Sequence, residues 1–271
     1  MRASLASRAN QVRKLVLQQS KRADVGHVGS ALSIADLVTV CAEHADAGGD
    51  EPDRDRLILS KGHAALALYA ALHLRGRLSA EELDTYCDDG SRLGVHPEAE
   101  LRGVDFSTGS LGHGLGLGAG SALGARLKGR SWRCFVLLSD AECNEGSVWE
   151  AVMFAAHHGL SNLVALVDVN GQQALGYTRD VLSLSPLEER WRAFGWDVRV
   201  VPGNDVAALD AALNELDTVT PGPPHVLLAQ TEFGHGVSFM RSRIEWHYLP
   251  LSDEQYRQAL AEVEAAAGDQ A

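Results

Sequence analysis

The sequence lacks several features that mark particular classes of protein. Its four cysteines have no CxxC or other metal-ligand spacing, so we predict reduced thiols without a catalytic role. There is no block of Lys or Arg and the net charge is −12, which argues against nucleic acid or an anionic membrane surface as a partner. No apolar run is long enough to span a bilayer, and the N-terminus has no signal-peptide core. We therefore expect a cytoplasmic protein that binds neither nucleic acid nor membrane.

Hydrophobic residues make up 45% of the 271 residues, which is enough to bury one large core. Short apolar runs alternate with amphipathic stretches, a pattern that predicts an α/β fold with a parallel sheet, formed as a single domain over residues 1–271. The predicted strands are 56–60, 134–139, 163–169, 191–202 and 224–230. The main predicted helices are 5–19, 33–43, 64–73, a Gly/Ala-rich helix that follows Gly114 and ends near 128, 147–158, 206–216 and a last one that begins near 252.

Asp140 and Asn170 each follow an apolar run, and an amphipathic helix lies between the two runs. A strand, a crossover helix and a second strand form a right-handed βαβ unit, so both residues should emerge at the same carboxyl edge of the sheet. Open α/β sheets bind ligands at that edge, and a carboxylate with a carboxamide suits Mg²⁺ or Ca²⁺. The pair therefore predicts a metal-assisted phosphate site. The alternative is that Asp140 caps a turn and that Asn170 forms a tight turn beside Gly171.

Six glycines lie between positions 109 and 120, ahead of and inside a predicted helix. They allow close approach of backbone or ligand, and exposed N–H groups at a helix start attract anions. A dinucleotide-binding fingerprint is the obvious alternative. It is not supported, because this stretch contains no G-x-G-x-x-G register.

Six segments in order resemble the N-terminal, diphosphate-binding portion of transketolases, over nearly the whole chain. They are Gly26-His27, Ser60-Lys-Gly-His63, Gly94-Val-His-Pro-Glu98, Ser107-Thr-Gly-Ser-Leu-Gly-His-Gly114, the 140–170 unit and Gly234-His-Gly-Val-Ser-Phe-Met240. In the thiamin diphosphate signature of that family a Gly-Asp-Gly triplet precedes the helix and Asn follows it. Here Ser139 and Ala141 replace the two glycines, so the side chains stay small. The implied fold is a three-layer parallel sheet with helices on both faces.

The resemblance implies thiamin diphosphate and Mg²⁺ (or Ca²⁺) as cofactors. Asp140, Asn170 and the backbone carbonyl of Gln172 would bind the metal, while Ala141 and Glu142 would lie against the diphosphate. The other implied cofactor contacts are His63, Gly109, Leu111 and Gly112. The implied catalytic residues, mostly imidazoles suited to proton transfer near neutral pH, are His27, His63, His96, His235 and Glu145. Lys61, His113 and the segment Glu245-Trp-His-Tyr248 receive no assigned role.

The implied reaction is transfer of a two-carbon ketol unit from a ketose phosphate to an aldehyde acceptor. In the family, the glutamate that activates the cofactor comes from a second, pyrimidine-side domain, so we expect an α2β2 heterotetramer with a separately encoded C-terminal subunit. Residues 109–124 and the helix 147–156, with Val148, Ala151, Val152 and Ala155, are candidate contact surfaces. Their alternative role is packing on the sheet. Two further alternatives are a subunit of another thiamin-dependent synthase, which condenses a decarboxylated 2-oxo acid with an aldehyde, and a noncatalytic structural subunit.

Overall fold

The computed structural model describes residues 4–268, in which helices and strands alternate along the chain. The helices are α1 (Leu5–Ala23), α2 (Val28–Ser33), α3 (Ala35–His44), α4 (Ala65–Leu74), α5 (Ala80–Leu83), α6 (His113–Leu127), α7 (Gly146–His157), α8 (Thr178–Val181), α9 (Leu187–Ala193), α10 (Val206–Asn214) and α11 (Asp253–Gly268). The strands are β1 (Arg56–Leu59), β2 (Cys134–Ser139), β3 (Leu163–Val169), β4 (Gln172–Gln173), β5 (Gly176–Tyr177), β6 (Asp197–Pro202) and β7 (His225–Gln230).

Five strands form one parallel sheet in the order β1-β2-β3-β7-β6, and β4 with β5 forms a small antiparallel hairpin. Ser139 at the end of β2 pairs with Asp168 near the end of β3, so the two strands finish side by side. All five carboxyl ends lie at one edge, as the βαβ pattern predicted. Within residues 4–268, no helix is long and apolar enough to cross a membrane.

Both faces of the sheet are buried, because alternate side chains of each strand enter two separate hydrophobic clusters. In β2, Phe135 and Leu137 pack with α1, α3 and α4 in the first cluster, while Val136 and Leu138 pack with α6, α7 and α9 in the second. The predicted three-layer arrangement, with helices on both faces, is therefore confirmed.

Two predicted elements are wrong in detail. Residues 191–196 are not strand, because Trp191 belongs to α9 and packs its ring edge-on against Trp196, at 4.8 Å between centroids. The buried face of this short helix imitates the start of a strand over a short window of sequence. The predicted helix 33–43 corresponds to α3, and Ser33 is instead the last residue of α2, a separate short helix that the sequence pattern did not predict.

The sequence also predicts one face of α7 as a candidate contact surface for another subunit, with packing on the sheet as the alternative. Val148, Ala151, Val152 and Ala155 instead belong to the second cluster, against the sheet of their own chain. Helix-on-sheet packing, the alternative role, is therefore what the structure supports. The outer face of this helix carries Met153 and Phe154, which are exposed.

Two glycines of α6 differ sharply in their surroundings and give a paired test of this packing. A Cβ on Gly118 would lie 2.5 Å from Val136 Cγ2 of the sheet, whereas a Cβ on Gly116 would meet nothing within 4 Å. We expect Gly118→Ala to lower the free energy of unfolding by about 1–3 kcal/mol through overpacking. Gly116→Ala should raise it by about 0.5–1 kcal/mol, the helix propensity difference. Chemical denaturation of both variants measures the difference, and equal stabilities would contradict the close packing of α6 on the sheet.

Candidate active site

Asp140 and the turn that contains Asn170 meet at the carboxyl edge of the sheet. Asp140 Oδ2 accepts a hydrogen bond of 2.8 Å from the backbone N–H of Gly171, and Oδ1 accepts one of 2.9 Å from Ala141. Both oxygens therefore do cap turns, as the alternative to metal binding proposed. Each oxygen still has a further lone pair, so the capping geometry is compatible with metal binding.

The amide of Asn170 has one chemically defined orientation. Its Nδ2 donates to Asp168 Oδ2 at 2.7 Å, and its Oδ1 accepts from the N–H of Gln172 at 2.9 Å. A carboxylate only accepts and a backbone N–H only donates, so exchanging the amide oxygen and nitrogen would break both bonds. The Oδ1 of Asn170 therefore faces the backbone of Gln172, the first residue of the hairpin, and its Nδ2 faces Asp168.

Asp168, which was not predicted as a site residue, is the centre of a buried network. Its Oδ2 lies 2.5 Å from Lys61 Nζ, and its Oδ1 accepts from Ser33 Oγ at 2.7 Å and from Thr231 Oγ1. Lys61 is 1% exposed and Asp168 is fully buried. This ion pair joins the turn after β1 to β3, while the two hydroxyls join the same carboxylate to α2 and to the residue after β7.

The buried charges at this edge are mostly negative. Asp140, Glu142 and Asp168 are all buried, and Lys61 is the buried ammonium among them. Burial, and then the charge of Asp168, raise the pKa of Asp140 to about 7, although the bonds from Gly171 and Ala141 oppose the change. A hard divalent cation would relieve this excess of negative charge. The carboxylate, the amide oxygen and a backbone carbonyl are also oxygen donors of the kind Mg²⁺ and Ca²⁺ take, so the residues fit such an ion.

Among His, Cys, Asp and Glu side chains of residues 4–268, no group of three is placed to hold a metal ion. The predicted set contains one carboxylate, one amide and one backbone carbonyl, so it does not depend on such a group. The metal assignment of Asp140, Asn170 and Gln172 stays a prediction.

A cavity of about 460 Å³ opens beside this edge. Its volume lies in the range of small-molecule sites. The predicted site residues that line it are His27, His63, His96, Leu111, Ala141, Glu145, Asn170 and Gln172. Lys61, Phe233 and His247 also line it. The structure therefore brings together eight of the predicted residues around one space suited to a cofactor.

Three histidines form a cluster on the wall of this cavity. The ring centroids lie 5.4 Å apart for His27 and His63, 5.2 Å for His63 and His247, and 5.6 Å for His27 and His247. Burial is the main cause that lowers the pKa of all three, and the ammonium of Lys61 contributes to each. The pKa of His247 falls to about 4. Neutral imidazoles keep a free ring nitrogen, so they can accept as well as donate a proton at neutral pH.

The backbone holds two of these histidines together. His27 has φ 63°, a left-handed conformation that is uncommon outside glycine and that often occurs at functional sites. The preceding Gly26 lies against the segment after His247, since a Cβ there would be 2.7 Å from the carbonyl carbon of Tyr248. Any larger residue at position 26 would therefore push His27 and His247 apart.

Other predicted site residues lie outside the lining of this cavity. His235 has its Nδ1 3.4 Å from Glu232 Oε2, and burial and the charge of Arg13 lower its pKa. Asp140 borders a neighbouring cavity of about 280 Å³. Gly109 lies behind His96, because a Cβ there would be 3.4 Å from the His96 ring.

Glu142 is directed into the protein. Its Oε1 accepts from Ser60 Oγ and, at 2.7 Å, from the N–H of Gly112, and its own N–H donates to Ser139 Oγ at 3.1 Å. Burial raises the pKa of this carboxyl. Glu142 thus ties the start of α6, where Gly112 has φ 89°, to the end of β2. The predicted contacts of Glu142 and Gly112 with the cofactor stay predictions.

Sequence reasoning gave no role to His247 or Asp168, although signals for both exist. Asp168 is the only charged residue in the apolar run 163–169, and an unpaired charge in a buried strand is costly. His247 lies far along the chain in Glu245-Trp-His-Tyr248, and its approach to His27 depends on how the segment after β7 folds back. No local pattern specifies that path.

The fold and the cavity at its carboxyl edge define an α/β enzyme domain. The family described as "Transketolase, thiamine diphosphate binding domain" matches residues 5–263. The chain is 38% identical over 257 residues to an apulose-4-phosphate transketolase subunit of Phocaeicola vulgatus, covering 93% of this chain and 90% of that protein. It is 37% identical to the 6-deoxy-6-sulfo-D-fructose transketolase subunit SqwG of Clostridium sp., covering 96% of each.

Among solved structures, the transketolase of Campylobacter jejuni superimposes with a TM-score of 0.90 at 28% identity, over 97% of this chain and 43% of that one. The chain thus spans less than half the length of that transketolase, but nearly the whole of the two relatives called subunits. It belongs to the transketolase thiamine diphosphate-binding domain family. The predicted family and its cofactor, thiamin diphosphate, are confirmed.

Proposed function

We propose that this chain is the diphosphate-side subunit of a two-component transketolase, a transferase that moves a two-carbon ketol unit from a ketose phosphate to an aldehyde acceptor. The observation that carries the proposal is the cavity in which Asn170, Lys61 and the His27–His63–His247 cluster face one space. Two relatives that match nearly end to end are named as transketolase subunits, which supports a subunit role.

When bound, thiamin diphosphate supplies the carbanion chemistry that the reaction needs. Asp140, Asn170 and the Gln172 carbonyl would hold the metal and, through it, the diphosphate, with Ala141 and Glu142 nearby. His27, His63 and His96 would bind substrate oxygens and move protons.

The partner is a separately encoded subunit that carries the pyrimidine-side domain, and the assembly is an α2β2 heterotetramer. Exposed apolar side chains at the cavity rim support a second chain there, since Leu175 and Tyr248 line the cavity and are 81% and 54% exposed. Glu145, which is exposed and lines the same cavity, would face the subunit boundary. We infer that residues 1–271 form one domain.

The proposed location is the cytoplasm, where thiols stay reduced. All four cysteines, Cys41, Cys87, Cys134 and Cys143, are free. Burial raises the pKa of the Cys134 thiol to about 12, so it is unreactive near neutral pH, in keeping with a structural role.

Calorimetric titration of thiamin diphosphate with Mg²⁺, into this chain alone and mixed with the candidate pyrimidine-side polypeptide, tests the proposal. We expect tight binding in the mixture and ketol transfer between a ketose phosphate and an aldehyde. Condensation that requires a 2-oxo acid and releases CO₂ would instead identify a thiamin-dependent synthase. Absence of binding in both samples would identify a noncatalytic subunit.

We further propose that His247, rather than His235, completes the histidine set. In the reconstituted enzyme, His247→Ala should lower kcat/KM by about 10²–10⁴-fold, the usual contribution of proton transfer by a positioned side chain. His235→Ala removes an imidazole that lies outside the cavity, so it should change kcat/KM by less than about tenfold. Steady-state kinetics with both variants, checked for folding by circular dichroism, decide between them, and a larger loss for His235 would refute the assignment.

A further inference from the structure

The side chain of Gln172 is buried beside the cavity without a hydrogen-bond partner. The residue lines the cavity and is 4% exposed, and within residues 4–268 neither Nε2 nor Oε1 of its carboxamide has a partner. Buried amide groups are nearly always hydrogen-bonded, because leaving the donor and the acceptor unsatisfied is unfavourable. The sequence assigned only the backbone carbonyl of Gln172 to a function, so its side chain still has to be explained.

The polar groups next to Gln172 in sequence are already engaged. The Asn170 amide is bonded to Asp168 and to the N–H of Gln172, and Gln173 Nε2 donates to Asn144 Oδ1 at 3.2 Å. The backbone at 172 is also held by antiparallel pairing with Tyr177. The main chain is therefore fixed at the cavity wall, and these neighbours are not spare partners for the carboxamide.

A second buried group at the same cavity lacks a partner. His27 lines the cavity, and its Nδ1 has no hydrogen bond within residues 4–268. Two side chains of one cavity thus keep unused hydrogen-bonding capacity, as expected of a wall that a ligand completes.

We propose that the carboxamide of Gln172 is a ligand-binding group, whose NH₂ donates to an acceptor on the ligand and whose oxygen accepts from a neighbouring donor. The inference rests on the proposed function. Two parts of the bound ligands offer that chemistry: the aminopyrimidine of the cofactor, with an amine beside a ring nitrogen, and the hydroxyls of a ketose. The metal would use the backbone carbonyl of Gln172, so side-chain substitution leaves that contact intact.

Gln172→Met in the reconstituted enzyme tests the proposal, because methionine has similar length and cannot replace the amide hydrogen bonds. The measurements are calorimetric titration of thiamin diphosphate with Mg²⁺, the KM for the ketose phosphate, and the midpoint of thermal unfolding without ligand. We expect either the dissociation constant of thiamin diphosphate or the KM for the ketose phosphate to rise by about tenfold, which corresponds to the loss of about one net hydrogen bond. The unfolding midpoint should not fall, because methionine removes two unsatisfied polar atoms.

The two ligand sources give different results. Weaker thiamin diphosphate binding would place the carboxamide on the cofactor, whereas an unchanged dissociation constant with a raised KM would place it on the substrate. Unchanged binding of both, or a lower unfolding midpoint with unchanged binding, would overturn the proposal and identify a structural amide. If the wild-type complex itself fails to bind thiamin diphosphate, the proposed function fails first, and the two failures are thereby distinguished.

Gln173→Met is the matched control. It removes the same group from the next residue, which also borders the cavity but has its amide bonded to Asn144. We expect binding constants within about twofold of wild type, with a lower unfolding midpoint from the lost hydrogen bond. A loss of ligand affinity equal to that of Gln172→Met would contradict a specific role for residue 172.

Discussion

Asp140→Asn should weaken binding of thiamin diphosphate with Mg²⁺ to the reconstituted enzyme by at least about 100-fold, because changes even to groups behind the metal ligands cost about 10–100-fold. The substitution removes one negative charge while keeping the shape and one oxygen acceptor. Calorimetry measures the affinity, and activity should fall in parallel. Asp180→Asn is the control, since that carboxylate is 63% exposed and makes the same charge change at the surface. Full affinity in the Asp140 variant would show that this carboxylate does not bind the metal.

The raised pKa of Asp140 also predicts how the stability of the metal-free protein depends on pH, with Asp140→Asn as the reference. The pKa of Asp140 is raised to about 7 in the folded protein, so folding favours its protonated form. Its stabilising effect is complete below the unfolded-state pKa of about 4 and is lost as the pH rises through about 7. The unfolding free energy of the metal-free wild type should therefore fall between about pH 4 and pH 7 relative to that of Asp140→Asn, by at most about 4 kcal/mol. Parallel profiles for the two proteins would contradict the raised pKa.

Particular residues show why some features of the fold and of the site could be predicted from the sequence and why others could not. Strands β2 and β3 have the predicted bounds, because 134–138 and 163–167 are apolar throughout and the residues that follow each strand, Asp140 and Asn170, favour turns. Asp140 meets the turn after β3 because β2 and β3 are parallel and joined by a crossover helix. Both features could be predicted from the local sequence pattern alone. β6 was placed too early, because the buried face of α9 contains Trp191 and imitates a strand over a short window.

The part of the site formed by distant segments could not be predicted in the same way. The contact of His247 with His27 joins residues more than two hundred positions apart, and it depends on Gly26 leaving room for the backbone of Tyr248. His235 was the stronger candidate by sequence, because glycines flank it. Those glycines instead allow close packing, since a Cβ on Gly236 would lie 3.0 Å from Arg13 Cδ. Flanking glycine indicates tight backbone geometry, and only the folded chain shows whether a ligand or another side chain requires it.

Asp168→Ala should destabilise the fold more than any of the other single substitutions. It leaves the ammonium of Lys61, 1% exposed, without the carboxylate 2.5 Å away, and it removes the acceptor of Asn170 and of two hydroxyls. Removing one partner of a buried ion pair typically lowers the unfolding free energy by about 3–5 kcal/mol, which in a protein of this size corresponds to a thermal midpoint lower by on the order of 10 °C. Glu264→Ala, which breaks the exposed Lys14–Glu264 pair, should cost less than about 1 kcal/mol.

The double variant Lys61→Met/Asp168→Leu separates the two roles of the network. Replacing both charges with apolar side chains removes the unpaired ammonium, so most of the stability lost in the single variant Asp168→Leu should return. Cofactor affinity should not return, because the Asn170 amide then loses one of the two hydrogen bonds that fix its orientation, and the cavity lacks the ammonium of Lys61. Thermal unfolding and calorimetric titration on the four members of the cycle measure both quantities. If stability and affinity recover together, the ion pair serves only the fold. If stability alone recovers, Lys61 and Asp168 also shape the site in which the diphosphate would lie.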